Sequence, residues 1–335
     1  MTDSSTSGAR RILVLGGTGT IGRAAVAALV KRGHAVVCLA RSKAGSGGKL
    51  TKEKTTRLLA GTKVLFGDVA NTKFLAKVFR EKQFDAILSC LASRTGEPKD
   101  AWAIDYQAHA DVLSLAKEAG VTQMVLLSAI CVQKPRLVFQ HAKLKFEKEL
   151  IESGLTYSIV RPTAYFKSLV GQVDRVKKGK SFLLFGDGKL TACKPISDAD
   201  LAEYMADCFE NVALQNKILP IGGPGPAITL LEQGEYLFKI LERKPRFQSV
   251  PASLLSRIAA VLDGLGKVIP PLATKAELAR IGHYYATESM LVLNSETGLY
   301  DADATPETGS DTLFEYIQRL IDGSETADRV DYDLF

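Results

Sequence analysis

Arg11-Ile-Leu-Val-Leu-Gly16-Gly-Thr18-Gly19-Thr20-Ile21-Gly22-Arg23-Ala-Ala25 is an apolar run that passes through three spaced glycines into an alanine-rich segment. Apolar β-formers followed by Ala24, Ala25, Ala28 and Leu29 at helical intervals predict a strand, a tight turn and a helix. In that setting each glycine has a task. Gly16 allows the turn, Gly19 lets the backbone approach a pyrophosphate, and Gly22 lets the helix pack close to the sheet. The helix N-terminus then presents N–H groups to the phosphates. The stretch reads as a dinucleotide site built from Gly16, Thr18, Gly19, Thr20, Ile21, Gly22 and Arg23. A glycine turn in some other α/β protein is the bland alternative.

The chain continues in the same alternation. Ala35 to Ala40 is a second apolar strand ending in Arg41-Ser-Lys43, where an NAD site would place a carboxylate for the ribose 2′-OH and an NADP site a cation for the extra phosphate. Arg41, with Lys43 and Arg23 nearby, selects NADPH, against the plainer reading of a solvated basic turn. Residues 44–57 read as a surface loop over the adenosine end. Val64 to Val69 gives a third strand whose Asp68, beside Val69, can accept the adenine amino group, and Asn71 caps a helix over Lys73 to Lys82. The fourth strand spans Phe84 to Ser93, and its small final residues Ala92 and Ser93 suit a flat ring at the carboxyl edge of the sheet. A helix from Asp100 to Ala119 and a strand at Gln123 to Leu127 complete a pattern that predicts an α/β fold, a doubly wound parallel Rossmann sheet with a smaller C-terminal substrate-binding lobe. Residues 1–9 read as a disordered N-terminus, 10–165 as the NADPH-binding domain and 166–330 mainly as the lobe, with later strands returning to the same sheet.

Composition excludes several classes. Of 335 residues 46% are hydrophobic and 24% charged, with a net charge of +6 that is dispersed along the chain. No basic-aromatic stripe points to nucleic acid. Five separated cysteines without a C-x-x-C pair read as buried free thiols, and four unclustered histidines argue against a metal site. No apolar run reaches membrane-span length and the short polar start is no secretory signal, which points to a cytoplasmic protein or one already trimmed. The stretch from Pro251 to Thr274, with Leu254, Leu255, Ile258, Val261, Leu262 and Leu265, reads as a buried helix of the lobe, a lid or membrane-surface contact being the alternative. Ser310 and Asp311 are the expected caps of a last helix over Leu313 to Ile321.

The decisive irregularity lies at Phe139-Gln-His-Ala-Lys143. A short-chain dehydrogenase would carry Tyr-x-x-x-Lys here, and the spacing of four puts both side chains on one helical face. Lys143 can reach the nicotinamide ribose, while Phe139 offers no proton. Reducing a carbonyl needs an acid at the substrate oxygen, which this site lacks. Three readings remain: a non-catalytic NADPH sensor, an enzyme that uses Lys143 as its acid or base, or a reductase whose substrate stabilises the charge itself. Tyr165 and Phe166, just beyond the strand at Tyr157 to Val160, can floor a flat apolar ligand, or belong to the core.

The chain resembles the atypical extended short-chain dehydrogenases, and within them the NADPH-dependent divinyl (proto)chlorophyllide 8-vinyl reductases. The resemblance rests on Gly16 to Arg23, Val132-Gln-Lys-Pro135, Phe139 to Glu147 and Arg161 to Ser168. It rests most specifically on Ala276 to Leu293 and Tyr300 to Leu313. It implies reduction of an 8-vinyl group to ethyl on a divinyl chlorophyllide or protochlorophyllide, with pigment contacts at Phe139, Tyr165, Phe166, His283 and Tyr284. It also implies that Lys143 positions the ribose and relays a proton through water. Charge from hydride addition spreads into the macrocycle, so no strong acid has to sit beside an oxygen. An NmrA-type sensor and an isoflavone-reductase-like aryl reductase are the competing resemblances. The expected setting is the cytoplasm of a bacterium, with peripheral contact to its photosynthetic membrane as an option, or a chloroplast for a trimmed plant or algal form.

Overall fold

A computed structural model describes residues 8–44, 50–266 and 269–325. Seven parallel strands form the central sheet: β1 (Arg11–Leu15), β2 (Ala35–Ala40), β3 (Lys63–Phe66), β4 (Ala86–Ser89), β5 (Gln123–Leu127), β6 (Thr156–Pro162) and, later in the chain, Lys217–Ile221. Their spatial order is β3-β2-β1-β4-β5-β6 and then the Lys217–Ile221 strand. The chain direction across the sheet reverses between β1 and β4, where Val14 lies between Cys38 and Leu88. Crevices at such reversal points, outside the carboxyl ends of the strands, are where these sheets bind ligands.

The period of two in β1 divides the interior. Ile12 and Val14 enter one apolar layer with Ala25, Val26 and Leu29 of α1 (Thr20–Lys31). Leu13 and Leu15 enter the opposite layer with Leu75 and Phe79 of α3 (Thr72–Glu81), after the short α2 (Lys52–Leu58). Both faces are therefore covered, as an all-parallel sheet requires. Asn71 caps α3 by accepting the Phe74 N–H at 3.0 Å. Residues 44–57, expected to be loop, include the start of α2, and 45–49 lie outside the described residues, as do 1–7 of the expected disordered start.

The expected helix from Asp100 to Ala119 is a composite. It consists of α4 (Pro98–Ala101), a π-helical segment (Trp102–Ala108) and α5 (His109–Glu118). After β5 come a 3₁₀ turn (Ile130–Gln133) and α6 (Val138–Ile151). Beyond β6 the chain builds α7 (Phe166–Leu169), α8 (Val173–Lys177), β7 (Phe182–Phe185), β8 (Ala192–Cys193) and α9 (Asp198–Asp207), then β9, the Lys217–Ile221 strand. Next are β10 (Ile228–Thr229), α10 (Leu230–Ile240) and β11 (Phe247–Val250), with β7 paired to β11 and β8 to β10. A separate apolar cluster, including Phe166, Val176, Leu237 and Tyr316, holds this part together.

The last elements are α11 (Ser253–Gly266), α12 (Pro270–Thr287), β12 (Val292–Leu293), β13 (Tyr300–Asp301) and α13 (Leu313–Asp322). Two expectations change here. Thr312, not Ser310 or Asp311, caps α13, accepting the Glu315 N–H in a capping box, while Asp311 pairs with Arg319. And α11 is not a buried helix. Only Ala259 is buried, whereas Leu254, Ile258, Val261 and Leu265 are 39–63% exposed. The i, i+4, i+7 spacing established an amphipathic helix but not what lies over its apolar side.

Candidate functional site

The turn after β1 is shaped by contacts that leave no room for side chains. Gly16 has φ +74°, and a Cβ there would lie 2.5 Å from the Cys90 carbonyl oxygen. A Cβ on Gly22 would lie 2.2 Å from the Gly16 carbonyl oxygen. Gly19 differs, because its Cβ would meet only that same oxygen at 3.5 Å. Protein packing does not demand glycine at 19, so the reason for it lies on the open side, where a pyrophosphate would approach the backbone. Gly19 is also the N-cap of α1, makes no side-chain cap bond, and is followed by a first turn without an acidic residue. A helix start of that kind favours an anion. The residues present thus fit a dinucleotide.

At the adenosine end Arg41 is exposed directly after β2. Arg23 is half-buried and acts electrostatically on Asp198. Asp68 is exposed, and its Oδ1 already accepts the Ala70 N–H at 3.0 Å. Val69 is half-buried, its side chain packed against the apolar layer below. Ala92 is exposed after β4, while the Ser93 N–H is held by Asp105 Oδ1 at 3.2 Å.

That carboxylate is the main feature the sequence did not disclose. Asp105 sits on the π-helical segment, is 1% exposed, and receives Lys143 Nζ of α6 on Oδ1 at 3.0 Å. Single π turns recur at functional sites because they rotate side chains out of α register. Asp105 Oδ2 is buried and, among the described residues, has no hydrogen-bond partner. Behind the pair, His109 Nδ1–H donates to the Ile104 carbonyl at 2.9 Å, which leaves Nε2 to accept the Ser89 hydroxyl at 2.8 Å. Burial, aided by the charge of Lys143, pushes the imidazole down to about 4, so it is neutral around pH 7.

Phe139 is half-buried on α6 and meets α12. A Cβ on Gly96 would strike Ile281 Cδ1 at 2.8 Å and Phe139 Cδ1 at 3.4 Å, so both side chains converge on that glycine. Tyr284 is 3% exposed, and its hydroxyl donates to the carbonyls of Cys131 (2.8 Å) and Lys134 (3.1 Å). Tyr285, the next residue, is 44% exposed, and its hydroxyl turns inward to Cys131 Sγ at 3.8 Å. Glu288, 5% exposed along its side chain, anchors the end of this helix through Lys134 and Arg136, both at 2.7 Å, and the Tyr300 hydroxyl at 2.8 Å.

The structure separates the expected ligand contacts. Phe139 and Tyr165 lie half-buried by the carboxyl ends of β5 and β6, Tyr165 packing against the core layer. His283 is half-buried on α12. Phe166, 2% exposed and 5.5 Å from the Tyr316 ring, belongs to the core of the lobe, and Tyr284 is a buried tie between α12 and the 3₁₀ turn. Neither offers an open surface to a ligand. Sequence reasoning missed Asp105, His109 and Tyr285. The Tyr-Tyr doublet at 284–285 signalled the last, but which ring faces inward depends on helix rotation. Among the described residues no group of three His, Cys, Asp or Glu is placed to hold a metal ion.

Comparison with known proteins extends this picture. The NAD(P)H-binding family matches residues 16–212. A divinyl chlorophyllide a 8-vinyl-reductase, chloroplastic, of Arabidopsis thaliana is 51% identical over 92% of this chain and 76% of its own length. Its namesake in Zea mays is 50% identical over 92% of this chain and 79% of its own. Among solved structures, an NADPH-dependent quinone oxidoreductase of Escherichia coli complexed with NADPH superposes with a TM-score of 0.67 at 19% identity, over 92% of this chain and 99% of that one. AtPrR2 with NADP+ and (+)pinoresinol gives 0.68 at 17%, over 93% and 99%. These two likenesses establish the fold.

Proposed function

The chain belongs to the divinyl chlorophyllide a 8-vinyl-reductase family, and from that premise we infer how its site works. It is an NADPH-dependent oxidoreductase that reduces the 8-vinyl group of a divinyl chlorophyllide to ethyl. The observation that carries the reading is the half-identity to these reductases over nearly the whole chain, which includes the C-terminal segment beyond the nucleotide-binding part.

When bound, NADPH supplies the hydride. The glycine turn and the start of α1 hold the pyrophosphate, and Arg41 meets the 2′-phosphate. Lys143, aimed by Asp105, is placed to hold ribose hydroxyls, and Asp105 Oδ2 is an acceptor in want of a donor. Phe139 presents an apolar ring where an alcohol dehydrogenase presents a phenol, which suits a hydrocarbon group rather than a carbonyl. Tyr165 borders the same region, whereas His283, two residues from Ile281 and from Tyr285, lies on another face of α12. Chlorophyllide is the pigment in the relatives' names, and the same site chemistry admits protochlorophyllide.

The test is direct. Purified protein with NADPH and divinyl chlorophyllide should shift the Soret band to the blue, and stereospecifically deuterated NADPH should leave one deuterium in the new ethyl group. An ethyl group labelled only from solvent would reject direct hydride transfer.

The exposed ridge of α11 supports peripheral contact with a lipid surface, since a helix with one bare apolar side lies well in a bilayer interface. No described helix is long and apolar enough to cross a membrane. Flotation with phosphatidylglycerol vesicles should carry the protein upward and lose the Val261→Asp variant; equal flotation of both would reject the contact. The same reading puts the protein where chlorophyllide is made, the chloroplast in the plant relatives.

A further inference from the structure

Turning a vinyl group into ethyl consumes a proton as well as a hydride, and the α6 position that would carry a phenol holds Phe139. A phenol nevertheless reaches this region from α12. Tyr284 is not that group, because its hydroxyl is committed to the carbonyls of Cys131 and Lys134. Tyr285 is placed differently. Part of its ring is open to solvent, yet its hydroxyl lies beside the thiol of Cys131, a residue 2% exposed.

Three observations locate that hydroxyl at the reacting end of the site. Cys131 belongs to the 3₁₀ turn at the carboxyl end of β5, and Lys143 acts electrostatically on its thiol. Tyr165, just past the carboxyl end of β6, acts on the Tyr285 hydroxyl itself. Ile281, one turn earlier on the same face of α12, converges with Phe139 on Gly96. The phenol therefore reaches, from α12, the apolar cluster in which Cys131 packs with Phe139 and Ile281. Among the described residues its hydroxyl donates to a thiol sulfur at 3.8 Å, a weak acceptor that a substrate can displace.

We propose that Tyr285 delivers the proton that completes vinyl reduction, taking over from α12 the task that the residue-139 position has lost. The proposal rests on the vinyl-reductase reading. The terminal alkene carbon gains the hydride, and the π pair moves onto the inner carbon and the macrocycle. The inner carbon then takes the Tyr285 proton, the O–H bond breaks with its electron pair left on oxygen, and water restores the phenol. Burial and the neighbouring Cys131 thiol raise the Tyr285 phenol well above its ordinary value, which keeps it protonated through the neutral range.

Tyr285→Phe removes the proton and keeps the ring. The variant should lose roughly 100-fold in kcat, the scale of a positioned general acid. Its dissociation constant for NADPH, followed by nucleotide fluorescence, and for pigment added to the NADP+-loaded protein should stay within about twofold, since a catalytic proton adds nothing to either equilibrium. A variant with undiminished kcat overturns the proposal. So does one whose loss is matched by weaker pigment binding, which would make Tyr285 a wall of the site. Wild-type protein that leaves the vinyl group intact defeats the underlying reading as well, whereas active wild type with an equally active variant defeats this proposal alone.

Discussion

Breaking the Lys143–Asp105 pair should reveal how much of the site is held by one buried charge contact. Their side chains are 11% and 1% exposed, with Nζ and Oδ1 3.0 Å apart. Asp105→Ala strands an ammonium group beside a neutral imidazole, and removing one partner of a buried pair costs about 3–5 kcal/mol. Some water reaches Lys143, so the lower end applies, about 3 kcal/mol. For a chain longer than 250 residues each 1 kcal/mol moves Tm by roughly 2 °C. The melting temperature should then fall by about 6 °C. Lys143→Met should cost less, because a stranded carboxyl can take up a proton. The double variant should lose less than the sum of the two, with a coupling of about 1–3 kcal/mol in urea unfolding. Additivity within about 0.5 kcal/mol would refute the pairing, and so would an Asp105→Ala protein that melts with the wild type.

Gly22→Ala puts a methyl 2.2 Å from the Gly16 carbonyl, so the turn must move by a cost of about 1–3 kcal/mol. NADPH affinity, titrated by fluorescence, should drop roughly 10- to 100-fold while circular dichroism stays native. Arg41→Glu should remove the cation for the 2′-phosphate and shift preference from NADPH toward NADH by roughly tenfold or more in the ratio of dissociation constants; an unchanged ratio would return Arg41 to the solvated surface. His109 titrates at about 4 in the fold against 6.5 unfolded, so its neutral form is the stabilising one. That contribution, about 3 kcal/mol, is complete above pH 6.5 and is lost as pH falls from 6.5 toward 4. Denaturant midpoints across that window should slope more steeply for the wild type than for His109→Gln.

What could be read from the sequence was local. The glycine spacing, the apolar strand before it and the alanine helix after it fix a conformation within a dozen residues, and the βα alternation then leaves few ways to order a parallel sheet. The missing phenol was equally plain, because residues 139 and 143 must share a face of one helix. The rest depended on contacts between distant segments. Nothing near Asp105 in the chain announces that a π-helical turn will swing it beneath Lys143, since its partner lies on α6, far along the chain. Periodicity showed that α11 has an apolar side but not that this side stays bare. Tyr284 and Tyr285 differ by about 100° around one helix, and only the packing of α12 on the turn after β5 decides that the first is a structural tie and the second is left facing the site. Propensity acts along the chain, while the rotation of a helix about its axis is set by whatever it packs against.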